Sequence, residues 1–169
     1  MASISGSEIA RLLLRLSIGG TLIAHGVKHG RSLEGTGRWF ESIGFKQPDL
    51  QAKMSAGVEV AAGSALIVGA ATPLAAAAIV GTMAVAAHTV HRPNGFFITS
   101  EGVEYVAALS AASVAVGALG GGKYSLDGLL GLEKKLSGGR GAAIAAGLGL
   151  AGAAVQLKTF WERPAPKAS

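Results

Sequence analysis

The chain has 169 residues, of which 50% are apolar and only 15% charged, and its formal net charge is +5. A soluble domain would carry about 25% charged residues, so the composition indicates an integral membrane protein. The chain contains no cysteine, which excludes disulfides, thiolate metal sites and thiol relays. Because the basic excess comes without a Lys/Arg run, we expect it in loops beside anionic lipid and do not expect nucleic-acid binding.

Five apolar segments are each long enough to cross a bilayer, which takes about 20 helical residues. The predicted spans are 8–27, 54–71, 73–91, 101–119 and 141–161. The polar connection after the first span contains "RWFESIGF", a mixture of aromatic and charged residues that is typical of a short interfacial helix. The predicted fold class is therefore all-α, a membrane four-helix bundle with a fifth, C-terminal transmembrane helix.

The boundaries between these parts depend on a few local signals. Thr72 and Pro73 in "ATPL" suit the start of a new helix, so they predict a tight hairpin between the second and third spans. We divide the chain into a four-span bundle at 1–128, an amphiphilic connector with the extra span at 129–161 and a disordered tail at 162–169. In the extra span, small residues recur at positions that suit close helix packing: Ala142, Ala146, Gly149 and Ala153.

Alternating crossings bring the ionisable residues of four spans to one leaflet. These are His25 near the end of span one, Glu59 in span two, His88 in the last turn of span three and Glu104 in the first turn of span four. A charged group in hydrocarbon costs at least about 2.5–3.5 kcal/mol, so such residues are expected to face the bundle interior and to pair. The sequence therefore predicts a polar pocket shared by the first four spans.

Glu59 is the most informative of these residues, because it lies deep within "SAGVEVAAGSALIVG". Its expected partners are His25 or Lys28, with Arg15 as a further partner if the helix geometry permits. Snorkelling at interfacial depth accounts for the remaining charged residues near this end, which are His29, His91, Glu101 and, as the alternative to a pocket role, Lys28 itself.

Several pieces of the sequence together resemble the DoxX family of small bacterial membrane proteins. They are an Arg-containing first span ending in "HGVKHG", then "WFESIGF", the long segment "GVEVAAGSALIVGAATPLAAAAIVGTMAVAAHTVH", and "GGGKYSLDG", which cover roughly residues 8–128. The resemblance implies a multi-pass four-helix bundle in the inner membrane and an association with quinone, sulfur or oxidative-stress redox chemistry, often as a subunit. By position, the family's recurrent polar residues correspond to Arg15, His25, Lys28, Glu59, His88 and Asp127.

The leading functional hypothesis is a membrane subunit of a redox complex, with a pocket for quinone or another small molecule. His25 and Glu59 would transfer a proton and Lys28 would stabilise a developing anion. The other pocket residues would be Arg15, His88, Glu104 and Asp127. Whether the chain is itself an enzyme stays open.

Two other hypotheses remain beside this one. His25, His88 and Glu59 resemble the ligand sets of metal or haem sites in helical bundles, although no Glu-x-x-His pair occurs. Alternatively, the chain is a non-catalytic scaffold or assembly subunit, whose Gly/Ala-rich helices dock on other membrane or redox subunits and whose polar residues fix helix register.

Overall fold

A computed structural model describes residues 4–164, and this part of the chain is helical without β-strands. The helices are α1 (Gly6–Arg31), α2 (Leu33–Ser42), α3 (Pro48–Val68), α4 (Thr72–Ala86), α5 (Glu104–Leu119), α6 (Leu126–Leu129) and α7 (Gly138–Phe160). A π-helical turn, Ala87–His91, and a 3₁₀ turn, Arg92–Asn94, continue α4. The prediction of an all-α fold is confirmed.

Two helical stretches in the described residues are long and apolar enough to cross a membrane. They are Thr72–Asn94 and Gly138–Phe160, while the apolar helix α5 is shorter. The second stretch coincides with the C-terminal helix predicted at 141–161. The full arrangement of four spans plus a fifth stays a prediction.

Helices α1 and α3 are antiparallel and pack with their backbones in contact. A Cβ atom added to Gly19 would lie 2.6 Å from the carbonyl oxygen of Gly63, and one added to Gly26 would lie 2.8 Å from that of Ala56. Such distances are too short for any side chain larger than hydrogen, so glycine sets how closely the helices approach. This contact fixes the rotation of α3 and brings Glu59 beside the last turns of α1.

Helix α7 packs against α4 and α5 through a stripe of small residues. Its buried positions are Gly141, Ala145, Gly149 and Ala153. The sequence prediction was right at the last two positions, but Gly141 and Ala145 are buried instead of Ala142 and Ala146. The reason is that α7 meets α5 at Gly117, which contacts both Gly141 and Ala145.

After α7 the chain returns to the connection between α2 and α3. The indole Nε1 of Trp161 donates to the carbonyl oxygen of Ile43 at 2.7 Å, and the backbone N–H of Glu162 donates to that of Gly44 at 2.9 Å. Glu162 is thus part of the folded structure, in contrast to the disordered tail expected at 162–169. The rest of that prediction, residues 165–169, lies outside the described residues.

Candidate functional site

Two groups of polar side chains, each built around a buried ionisable residue, lie at different ends of the bundle. The Arg15 cluster consists of Arg15, Thr72, Ser125 and Asp127, where α3 ends and α4 begins. The Glu59 cluster consists of His29, Ser55 and Glu59, near the end of α1 and the start of α3. The two groups have different hydrogen-bonding states and therefore different chemical possibilities.

In the Arg15 cluster, the guanidinium group donates four of its five N–H groups to backbone oxygens. Nε donates to the carbonyl of Leu66 at 2.9 Å, and Nη2 donates to that of Ile67 at 2.5 Å. Nη1 donates to Gly121 at 2.7 Å and to Tyr124 at 3.0 Å. The positive charge thus lies at the C-terminus of α3, where the last carbonyls of a helix lack internal partners.

Asp127 caps the next helix from a distance. Its Oδ1 accepts from the backbone N–H of Ala71 at 2.7 Å, and its Oδ2 accepts from the backbone N–H and the hydroxyl of Thr72 at 2.8 and 2.7 Å. The predicted hairpin at Thr72 and Pro73 is present, but this carboxylate supplies the cap. Arg15 and Asp127 therefore hold the turns at this end of the bundle together. They do not lie with Glu59, because Arg15 contacts α3 near its C-terminus, at Leu66 and Ile67.

In the Glu59 cluster, the carboxylate is 4% exposed and only partly satisfied. The Ser55 hydroxyl donates to Glu59 Oε1 at 2.9 Å. Since that hydroxyl has one proton, its oxygen accepts from His29 Nδ1, 3.1 Å away. Glu59 Oε2 lies 3.2 Å from His29 Nδ1 but has no hydrogen-bond partner in the described residues. In the tautomer that protonates Nδ1, this arrangement directs the proton to Ser55.

The expected partners of Glu59 need correction. His29, which the sequence placed at the wet rim, is the histidine beside Glu59, whereas His25 and Lys28 are exposed. Gly26 packs against Ala56 and the Cβ of Glu59 and so sets this register. The Glu59 side chain reaches back along α3 toward Ser55, where it meets His29 in the turn after Gly26. The pairing of Ser55 with Glu59 follows from their separation of four residues on one helix, a signal that the sequence carried.

A cavity of about 1430 Å³ opens beside the Glu59 cluster and is larger than most ligand pockets. Residues of α1, α2, α3, α5 and α7 line it together with the end of α4. Most of its lining side chains are apolar. The basic, acidic and amide side chains in its wall are His25, Lys28, His29, Gln51, Glu59, His91, Glu101 and Gln156. Among the residues predicted for the site, the cavity thus brings together His25, Lys28 and Glu59.

Four predicted pocket residues lie outside this wall. His88 packs edge-on against Trp161 with ring centroids 5.0 Å apart, and Glu104 accepts from the backbone N–H of Ile98 at 2.9 Å in the loop before α5. Arg15 and Asp127 belong to the other end. Since His88 is turned toward Trp161, the three ligands of the metal hypothesis do not meet, and no three such side chains group as a metal site within residues 4–164.

The structure adds aromatic and amide residues that the sequence did not single out. Trp39 of α2 stacks on His29 with ring centroids 6.3 Å apart and planes inclined by 28°. Gln156 of α7 donates to Gln51 of α3 at 2.9 Å. The first contact joins two consecutive helices, and the second joins residues 105 positions apart. Both depend on how helices pack, so the pattern of either segment alone could not have revealed them.

Comparison with known proteins identifies the segment that contains most of this wall. Residues 10–92 match the DoxX family model, from α1 through the end of α4. No match was found among curated proteins or among solved structures. The family match and the apolar helices support a membrane protein linked to redox-related function. Through residues 10–92 the chain belongs to the DoxX family.

Proposed function

We propose that the protein is a subunit of a redox complex in the bacterial inner membrane and that its cavity binds quinone or a similar apolar small molecule. The observation that carries this proposal is the Glu59 cluster in the wall of a largely apolar cavity. An apolar pocket with a few polar groups is the usual form of a small-molecule site. The family match supports the link to redox chemistry.

In this function the chain handles the proton while a partner subunit handles the electrons. Reduction of a quinone to a quinol takes up two electrons and two protons, and the electrons would come from a redox enzyme docked on the bundle. The pair His29 and Glu59, bridged by Ser55, provides a connected path for a proton. His25 and Lys28 are the exposed polar residues of the same wall, where Lys28 would stabilise an anionic ligand oxygen.

The test is quinone-linked reduction in membranes that contain Glu59→Gln or His29→Ala variants. A lost proton-transfer group typically lowers a rate about 10²–10⁴-fold, so we expect at least a tenfold loss in both variants. Glu34→Gln is the matched control, because this side chain is 87% exposed on α2 and pairs with the exposed Arg38. Its turnover should equal that of the wild type.

The same membranes separate this function from the scaffold hypothesis. Unchanged turnover in both cavity variants would reject a proton-handling role. If the variants also co-purify with a larger membrane enzyme as the wild type does, the chain acts in assembly instead.

A further inference from the structure

The unpartnered oxygen of Glu59 defines what kind of ligand the cavity accepts. Oε2 is buried, belongs to a cavity-lining residue and makes no hydrogen bond within residues 4–164. Buried polar atoms almost always have a partner, so an exception needs an explanation. An occupant of the cavity that carries a hydrogen-bond donor would supply the missing partner.

We propose that the cavity binds an apolar ligand with a hydroxyl donor, of the phenol or hydroquinone class, and that Glu59 Oε2 accepts the hydrogen bond from that hydroxyl. The inference rests on the proposed function only in taking this cavity as the ligand site. It goes further in predicting that the reduced, hydroxyl-bearing form of a quinone-type ligand binds more tightly than the oxidised form.

Neither Ser55 nor His29 Nδ1 has a proton left for a ligand acceptor beside Oε2. The Ser55 proton goes to Glu59 Oε1, and the His29 Nδ1 proton goes to Ser55. A ligand carbonyl placed against Oε2 would therefore bring two acceptors together. A site with a buried polar group rejects an analogue that leaves this group unpaired. The site therefore favours a ligand with a hydroxyl group over one that offers only a carbonyl oxygen.

Neighbouring side chains complete a site for an aromatic head with an apolar tail. The stacked pair of His29 and Trp39 borders the same cavity, and so does Phe40. Leu148 and Val155 of α7 belong to the apolar part of the same wall. These side chains offer contacts to an alkyl chain.

The test compares 4-nonylphenol with its methyl ether, 4-nonylanisole, by titration calorimetry on the full chain in detergent, with micelles alone as the blank. The two probes have nearly the same shape, and only the phenol has a donor. We expect the wild type to bind the phenol at least about tenfold more tightly, as one well-made buried hydrogen bond allows. Equal affinity, tighter binding of the ether or no binding of either probe would overturn the proposal.

Glu59→Gln tests the residue assignment. The amide removes the charge and adds an N–H donor that can form a hydrogen bond to the ether oxygen. The preference for the phenol over the ether should therefore fall below about threefold. Glu34→Gln, which changes an exposed carboxylate of α2, should keep the wild-type ratio. An undiminished preference in Glu59→Gln would refute the role of Oε2, and the wild-type ratio remains a test if this variant fails to fold.

These outcomes are independent of turnover, because neither probe takes part in quinone reduction. A clear preference for the phenol, together with unchanged quinone-linked reduction in the Glu59→Gln membranes, would keep this inference and reject the redox role. Loss of quinone-linked reduction in these membranes, together with equal affinities for the two probes, would keep the redox role and reject this inference.

Discussion

The Arg15 and Glu59 clusters both place an ionisable side chain among apolar helices, yet they leave it in opposite states. Arg15 uses four of its N–H donors on backbone carbonyls, and Asp127 accepts three hydrogen bonds in the same end of the bundle. Within residues 4–164, Glu59 accepts one hydrogen bond on Oε1 and none on Oε2, and a cavity lies beside it.

The difference shows that burial of charge does not by itself mark a binding site. A charged group whose hydrogen bonds are made to the protein's own backbone stabilises one arrangement of helices. A buried group with a vacant acceptor position beside a cavity can also bind a ligand. The sequence treated all these residues as one pocket, whereas their hydrogen bonds divide them into a structural group and a group with an unpartnered acceptor oxygen.

The largest effect should come from Arg15→Met. This change leaves four backbone carbonyls of the Arg15 cluster without donors and removes the positive charge near Asp127. Breaking a buried ionic network typically costs about 3–5 kcal/mol, which we expect as a loss in the free energy of unfolding in detergent. Arg38→Met on the exposed face of α2 is the control and should change stability by less than about 0.5 kcal/mol. Similar values for the two variants would remove the structural role assigned to Arg15.

Asp127→Asn should have the next largest effect. The amide retains one acceptor oxygen, but its NH₂ group faces a backbone N–H of Ala71 or Thr72. One unsatisfied buried group costs about 1–3 kcal/mol, and thermal unfolding of the purified protein should show this loss. If quinone-linked turnover fell while stability stayed at the wild-type value, Asp127 would belong with the functional residues after all.

A glycine pair on α1 tests the geometry of the Glu59 end. A Cβ at Gly26 would lie 2.9 Å from the Glu59 Cβ, whereas one at Gly20 has no neighbour within 4 Å. We expect Gly26→Ala to destabilise the fold by about 1–3 kcal/mol through overpacking, and Gly20→Ala to stabilise it by about 0.5–1 kcal/mol. Chemical denaturation curves in detergent measure both, and effects of the same sign would contradict the close contact of α1 with α3.

The smallest effect on stability should come from Glu59→Gln. Removal of a buried charge with an unpaired oxygen compensates for the weaker hydrogen bond from Ser55. We expect the free energy of unfolding to rise by less than about 1 kcal/mol, although the variant loses function. A destabilisation as large as that of Arg15→Met would mean that Glu59 is part of the structural framework.

The sequence was sufficient where local physics decides. Apolar segments and their lengths predicted an all-α membrane protein with an apolar C-terminal helix, and Thr72 with Pro73 marked the hairpin. The ordered pieces from "HGVKHG" onward identified the DoxX family. These features depend on residues close together in the chain, so no knowledge of packing was needed.

Only the tertiary structure decided which polar residues meet. The order of the predicted spans placed His25 and Glu59 at a similar depth in the membrane. In the structure, close contacts at Gly19, Gly26 and Gly63 set the rotation of α1 against α3, and this rotation puts His29 beside Glu59. The same holds for Asp127, which caps α4 from 55 residues further along the chain. Pairing of side chains depends on helix rotation to within a fraction of a turn, and contacts between distant backbones set that rotation.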